Sequence, residues 1–207
     1  MQPTKKEIVV IGDGVVGWST CYHLKVHGIY NTCLVGEPQL LSESSRAAGS
    51  LTAGYLDHFT RLQHHFGEKE ASSLWQFSLD AYKETLDFLK QTNTPYWQNK
   101  LLRLGVSSHE TTELLEANKL LKKNGFFSDL LALEKENLGN RVSLVQDLGK
   151  CGGLVDPGVF LNTLKEKTDT VEVRSAKVMK IDSSGEFVTV TLADQSKILC
   201  EMFSTIS

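Results

Sequence analysis

Gly12-Asp13-Gly14-Val15-Val16-Gly17 is the segment of this chain whose residue types and spacing point most directly to chemistry. It matches G-x-G-x-x-G, in which the first glycine makes a tight turn, the second lets backbone approach a pyrophosphate, and the third packs helix on strand. A helix opening at Val15 aims its first amides, and the positive end of its dipole, at phosphate. Glu37 lies at the end of the next predicted strand, where a carboxylate can accept hydrogen bonds from an adenosine ribose. Together these features read as a dinucleotide-binding turn, with a glycine turn that only packs as the alternative. A P-loop is excluded, because Trp18-Ser19 stands where Lys-Ser/Thr is required.

A second candidate segment is Glu43-Ser44-Ser45-Arg46-Ala47-Ala48-Gly49-Ser50-Leu51. Small residues let backbone lie close to a planar ligand, and serine hydroxyls with Arg46 suit phosphate or ring oxygens. A solvated polar loop explains the same composition. The histidines offer less. His23 and His27 are four apart on a predicted helix, but no H-E-x-x-H and no third ligand accompany them, so no metal site is expected. His58, His64 and His65 read as surface residues, His109 as a residue near a helix start, and G-x-S-x-G is absent.

The elements that must position these residues follow from the pattern. Ile8–Ile11 is a fully apolar strand, Val15–His27 a helix closed by Gly28, and Thr32–Val35 a second strand, completing a βαβ unit. Residues 37–54 read as a loop. Apolar spacing from Phe59 to Gln91 predicts one or two amphipathic helices, with Trp75, Phe77, Tyr82 and Phe88 as core. A strand is expected within Trp97–Val106, a helix over Glu110–Lys123 and a short helix near Leu130–Leu138. Gly152–Pro157 signals a strand and turn into a helix reaching Lys167. Strands follow at Val171–Arg174 with Lys177–Ile181, then Phe187–Leu192 and Ile198–Phe203, with a hairpin turn at 183–186.

Composition sets the outer bounds. The chain has 207 residues, 41% hydrophobic and 23% charged, with a formal net charge of −3, which excludes a disordered or disulfide-dense chain and gives no electrostatic reason to expect nucleic acid. Cys21, Cys33, Cys151 and Cys200 form no CxxC pair and no zinc spacing, as expected of reduced thiols in the cytoplasm. No stretch reaches the ~20 apolar residues of a membrane span. Glu7, Asp13 and the glycines interrupt what imitates a signal peptide.

The run I-V-V-I-G-D-G-V-V-G-W-S-T-C-Y-H-L, then Glu37, S-S-R-A-A-G-S-L and C-G-G-L-V-D-P-G-V-F-L-N-T-L resembles the D-amino-acid oxidase family of FAD-dependent oxidoreductases, in that family's order from about residue 6 onward. The resemblance implies an α/β fold: a Rossmann-type FAD-binding βαβ domain with part of an α+β substrate domain, a truncated D-amino-acid oxidase-like fold. The expected divisions are 1–92 for the first part of the FAD-binding domain, 93–150 for a partial substrate domain, and 151–207 for a return to the FAD-binding domain and further substrate-domain strands.

By the same resemblance Gly12, Gly14, Val15, Val16 and Gly17 surround the pyrophosphate and Glu37 binds the adenosine ribose. Ser44, Ser45, Arg46, Ala48, Gly49 and Ser50 line the flavin and its phosphates, and Val178 contacts adenine through its backbone. Two departures stand out. Asp13 replaces the usual Gly or Ala, putting a carboxylate near the pyrophosphate unless it turns away, and Arg46 replaces the histidine that some relatives bond to flavin, so FAD is expected to be non-covalent.

The implied activity is oxidation of the C–N bond of an amine or amino acid, with hydride passing to flavin and the imine hydrolysing to a carbonyl. No catalytic residue is assigned, because the family draws its substrate-binding Arg and Tyr from the second half of its chain. After Ile198–Phe203 the family returns to the nucleotide domain by a strand and glycine turn, and Ser207 is expected to precede that return, leaving unpaired strand edges. That expectation brings in a complementary chain or homo-oligomer as a partner. A truncated, non-catalytic flavin-binding or interaction module is the competing reading, and an NAD-dependent dehydrogenase subunit ranks below both.

Overall fold

The computed structural model describes residues 3–37, 43–54, 58–131, 141–183 and 186–205. Strand β1 (Thr4–Ile11), helix α1 (Val15–Val26) and strand β2 (Thr32–Gly36) open the chain. A 3₁₀ turn at Ser44–Arg46 and strand β3 (Ser50–Thr52) precede α2 (Phe59–Phe66) and α3 (Glu68–Gln91). Next come β4 (Tyr96–Asn99), β5 (Leu102–Gly105), α4 (Ser108–Lys123), β6 (Asp129–Leu131), β7 (Leu144–Asp147) and β8 (Gly152–Val155). Helix α5 (Pro157–Lys167) leads into β9 (Glu172–Ser175), β10 (Val178–Asp182), β11 (Val188–Leu192) and β12 (Lys197–Thr205).

Two units result. The first joins residues 1–48 to 157–207, and the second is 49–156. The divisions read from the sequence fell at 92/93 and 150/151, whereas compactness divides the chain at 48/49 and 156/157. Helices α2 and α3 account for the difference at the first border. Phe59 and Trp75 share one buried cluster with Leu121 of α4, so these helices belong with the segment that follows them.

In the first unit a six-stranded sheet runs β10-β11-β12-β1-β2-β9. β12, β1, β2 and β9 are mutually parallel, and β10, β11 and β12 form an antiparallel meander. Side chains alternate across the sheet. Val9, Cys33, Val35, Val190, Leu192, Ile198 and Cys200 make one buried cluster. On the other face Leu34 meets α1 at Gly17, and α1 packs on β1, β2 and α5. Burying each large apolar side chain of this kind stabilises the fold by roughly 1.5–3 kcal/mol.

Strand β12 corrects the sequence reading. The return to the nucleotide sheet was expected after Ile198–Phe203, beyond the residues at hand. β12 is itself that return: it pairs in parallel with β1 from Thr4↔Ile198 to Ile11↔Thr205, while Val188↔Cys200 and its neighbours pair it with β11. It is flanked on both sides, and the edge strands are β10 and β9. β9 and β10, adjacent in sequence, thus lie at opposite edges, because β9 follows α5 onto β2.

The second unit carries two three-stranded antiparallel sheets, β3-β8-β4 and β5-β7-β6. Its helices enclose Phe59, Leu62, Ala71, Trp75, Leu121 and Leu148, with the Phe59 and Trp75 rings edge-on at 5.6 Å. Trp75, Tyr82 and Phe88 are core as expected, but Phe77 is 68% exposed, on the outer face of α3. The single strand expected within 97–106 is two strands in different sheets. Leu101 breaks the run by donating to the Gly149 carbonyl. α4 begins at a capping box in which the Ser107 hydroxyl accepts from Glu110 N–H and the Glu110 carboxylate accepts from Ser107 N–H. Of the short helix expected near 130–138, residues 130–131 belong to strand β6 and 132–138 lie outside the described residues. Residues 184–185 of the expected hairpin turn also lie outside them, although β10 and β11 do pair as a hairpin would.

Candidate functional site

β1 ends at Ile11, and the chain reverses at once. Gly12 adopts φ 119°, a conformation that favours glycine, and its N–H donates to the Val35 carbonyl at 2.8 Å. This pins the turn to the end of β2. Gly14 caps α1 in an extended conformation. A Cβ on Gly17 would run into the Gly12 carbonyl and would sit 3.4 Å from Leu34 Cδ1, so only glycine lets α1 lie this close to the turn.

The Ser44 hydroxyl completes this corner. It accepts from Val15 N–H at 3.0 Å, satisfying one of the orphan amides of α1 from 29 residues away. A Cβ on Gly14 would lie 2.9 Å from the same oxygen. The first turn of α1 has no acidic residue to oppose an anion. Ser45 is half-buried beside Ser44, while Arg46 and Ala48 are exposed on the 3₁₀ turn and beyond it. Val15 is half-buried and Val16 exposed.

A pocket of about 300 Å³ opens at the carboxyl ends of β1 and β2, lined by Ile11, Gly12, Asp13, Glu37, Lys177 and Val178, among others. This lies at the lower end of the range for small-molecule sites. The Ala176 N–H donates to the Gly36 carbonyl at 2.8 Å, which brings Lys177 and Val178 to the pocket wall. Lys177 Nζ faces Glu37 Oε1 at 4.0 Å. The carboxyl group of Asp13 is turned over Gly36. A Cβ there would collide with Asp13 Cβ and lie 2.6 Å from its Cγ and 2.8 Å from Oδ2.

The structure therefore brings Gly12, Gly14, Val15, Gly17 and Ser44 together at the start of α1, and Glu37 and Val178 together in the adjoining pocket. Gly49 and Ser50 belong to the second unit. Gly49 has φ 70° and its carbonyl accepts from Val155 N–H, while Ser50 opens β3 opposite Leu154. Sequence reasoning did not find the pocket-lining place of Asp13. The available signal was a carboxylate at the x of G-x-G paired with a glycine immediately before Glu37.

A profile of the DAO family, described as FAD dependent oxidoreductase, matches residues 7–188. The chain belongs to this family of FAD-dependent oxidoreductases. Among its relatives is the 4-methylaminobutanoate oxidase (formaldehyde-forming) of Paenarthrobacter nicotinovorans, 24% identical over 209 residues, with 96% of this chain and 24% of that protein covered. Among solved structures it resembles the glycine oxidase of Bacillus cereus ATCC 14579 (TM-score 0.67, 18% identity, covering 98% of this chain and 55% of that one). It also resembles the L-proline dehydrogenase of P. horikoshii (TM-score 0.71, 16% identity, covering 99% and 53%). The chain thus spans about a quarter of the first relative and just over half of each structure. The DAO-like α/β fold is shared along nearly its whole length.

The residues present fit the FAD that this family uses. The Gly17–Gly12 approach leaves no room for a Cβ, which is what a pyrophosphate turn demands, and Ser44 shapes the same corner. Burial pushes the Cys21 thiol up to about 12 and the Cys33 thiol up to about 11, so neither is a ready nucleophile. Among the described residues no group of three His, Cys, Asp or Glu side chains could hold a metal ion. No helix of the described residues is long and apolar enough to cross a membrane.

One histidine departs from the sequence reading. His58 caps α2, and its side chain is only 20% exposed. Its Nδ1 lies 3.1 Å from Arg103 Nη1 and its Nε2 3.8 Å from Glu113 Oε2. Glu113 also receives Arg61, whose hydrogen bonds hold its carboxyl below the usual carboxylate value. This cluster joins α2 to α4 and β5 within the second unit.

Proposed function

We propose that the chain supplies the FAD-binding part of an oxidoreductase acting on the C–N bond of a small amine or amino acid. The observation that carries the reading is the corner at the start of α1, where the Gly12–Gly17 turn and the Ser44 hydroxyl adjoin a nucleoside-sized pocket holding Glu37. Gly12, Gly14, Val15, Val16 and Gly17 would present backbone to the pyrophosphate, and Glu37 would accept from the adenosine ribose. Ser44, Ser45, Arg46 and Ala48 would serve the phosphates and flavin. Val178 would offer backbone to adenine. With Arg46 at the loop position, FAD is held without a covalent bond.

FAD, when bound, supplies the hydride acceptor. The chain's contribution is to orient it, to match phosphate charge with amides and Arg46, and to keep water from the buried end of the turn. The first unit carries these tasks, and the second unit is assigned to the substrate side. An amine or amino-acid substrate is supported by the relatives' names, which specify 4-methylaminobutanoate, glycine and L-proline. Turnover is assigned to the protein completed by the residues that correspond to the other half of those structures, on this polypeptide, a complementary chain or a second copy. A reducing, cytoplasmic setting accords with the four free cysteines.

The test is a visible spectrum of the chain, and of the protein completed by those further residues, after reconstitution with FAD, followed by anaerobic addition of N-methylated amino acids, glycine and proline to the completed protein. Bleaching of the flavin bands by one of them supports the oxidoreductase. A flavin spectrum that no amine bleaches leaves a flavin-binding module without this activity, and a colourless protein removes both.

A further inference from the structure

Asp13 occupies the x position of the glycine turn, and its side chain lies against Gly36 at the end of β2. The geometry is tight: the space a Cβ of Gly36 would fill is taken by Asp13, with Cγ at 2.6 Å and Oδ2 at 2.8 Å from it. Gly36 and Asp13 are thus complementary, and the absence of a side chain at 36 is what admits the carboxyl group. That group lines the same pocket of about 300 Å³ as Glu37, whereas Lys177 is the one cationic side chain among the described residues that line it. Among the described residues no donor hydrogen-bonds to the Asp13 carboxylate.

A ribose offers two adjacent hydroxyl donors, O2′ and O3′, and a carboxylate is an acceptor-only group suited to them. Glu37 beside the pocket can take one or both. A second carboxylate within the same small volume gives the pair separate acceptors and makes them repel a phosphate carried on the 2′ or 3′ oxygen. We propose that Asp13 is a second ribose-reading carboxylate, acting with Glu37 to select a nucleotide whose ribose carries free 2′ and 3′ hydroxyls. The inference rests on the flavin-nucleotide reading above and deepens it by naming the residue that sets sugar specificity.

The experiment measures binding of FAD, ADP, 2′-deoxy-ADP, 3′-deoxy-ADP and ADP carrying a 2′-phosphate by calorimetry, to wild type, Asp13→Ala and Asp13→Asn. Circular dichroism and melting of each variant establish that it is folded, and the shape-conserving Asn variant serves if the Ala variant is not. Wild type is expected to bind ADP at least tenfold more tightly than the 2′-phosphorylated form. Asp13→Ala is expected to weaken ADP roughly tenfold, the scale of a hydrogen bond to a charged acceptor. One deoxy ligand should then show no further loss in that variant, because hydroxyl and carboxylate are partners and their removals do not add. Asp13→Asn should keep only a small part of that coupling. A residue that merely fills space over Gly36 would leave every ligand ratio unchanged. Equal ratios in folded variants and wild type, with FAD and ADP still bound, overturn this inference alone. Failure of the wild type to bind either FAD or ADP overturns it together with the flavin reading.

Discussion

Gly17→Ala sets two known effects against each other at one atom. In a helix interior, alanine is favoured over glycine by about 1 kcal/mol, so propensity alone predicts a stabilised protein. The structure predicts the opposite sign. The new Cβ points at the Gly12 carbonyl, and what must yield is backbone rather than the end of a side chain. That backbone is held, because Gly12 N–H is bonded to the Val35 carbonyl, and Leu34 Cδ1 already stands 3.4 Å from the added Cβ. Forcing one methyl into such a place costs on the order of 1–3 kcal/mol, and movement of backbone puts this case at the upper end. The net expectation is a loss of about 1–2 kcal/mol after the propensity gain is subtracted. For a unit of about 100 residues this lowers the melting temperature by roughly 4–16 °C. Thermal melting followed by far-ultraviolet circular dichroism, with FAD affinity measured on the same samples, is the assay. A variant that melts at or above the wild-type temperature and still binds FAD would refute the close-packed turn.

Ser44→Ala removes the cap on Val15 N–H and should cost about 1 kcal/mol in urea melts while weakening FAD, whereas an unchanged midpoint would show that the bond carries no stability. Glu172 has its carboxyl held below the ordinary 4.5 by a hydrogen bond from Lys6 and then one from Arg174. Its depressed folded value means that this stabilisation is present above pH 4.5 and is lost as pH falls through that folded value. Glu172→Gln should therefore flatten the decline in stability between pH 5 and the acid limit, and an identical decline would count against it. Cys21 and Cys33 should resist alkylation at pH 8 until the protein unfolds, as read by peptide mass spectrometry, since burial raises both thiols.

How much of this was readable in advance depended on the range of the interaction. The βαβ unit was readable because its signals are local: an apolar run, three glycines, a helix stop at Gly28 and a second apolar run. The long α3 was readable for the same reason, although its period could not tell exposed Phe77 from buried Trp75, two positions before it. β12 was not recognised as the return strand, because its parallel partner β1 lies nearly the whole chain away and leaves no mark in the residues around 197–205. The break between β4 and β5 escaped notice since the deciding bond, Leu101 N–H to the Gly149 carbonyl, is also non-local. At the site, the glycines and Glu37 were visible as a motif. The turn of Asp13 over Gly36 was not, because it depends on two residues from different strand ends meeting in space.

The central claim is that the corner at α1 and its adjoining pocket bind the nucleotide half of FAD. Titrating the refolded, cofactor-free protein with FAD and with FMN, by flavin fluorescence, tests it most directly. FMN lacks the adenosine that Glu37 and Val178 are assigned to hold. The account predicts saturable FAD binding at least a hundredfold tighter than FMN, about 2.7 kcal/mol by the usual conversion, with the difference shrinking in Glu37→Gln. Equal affinity for FAD and FMN, or no saturable binding of FAD, would contradict it.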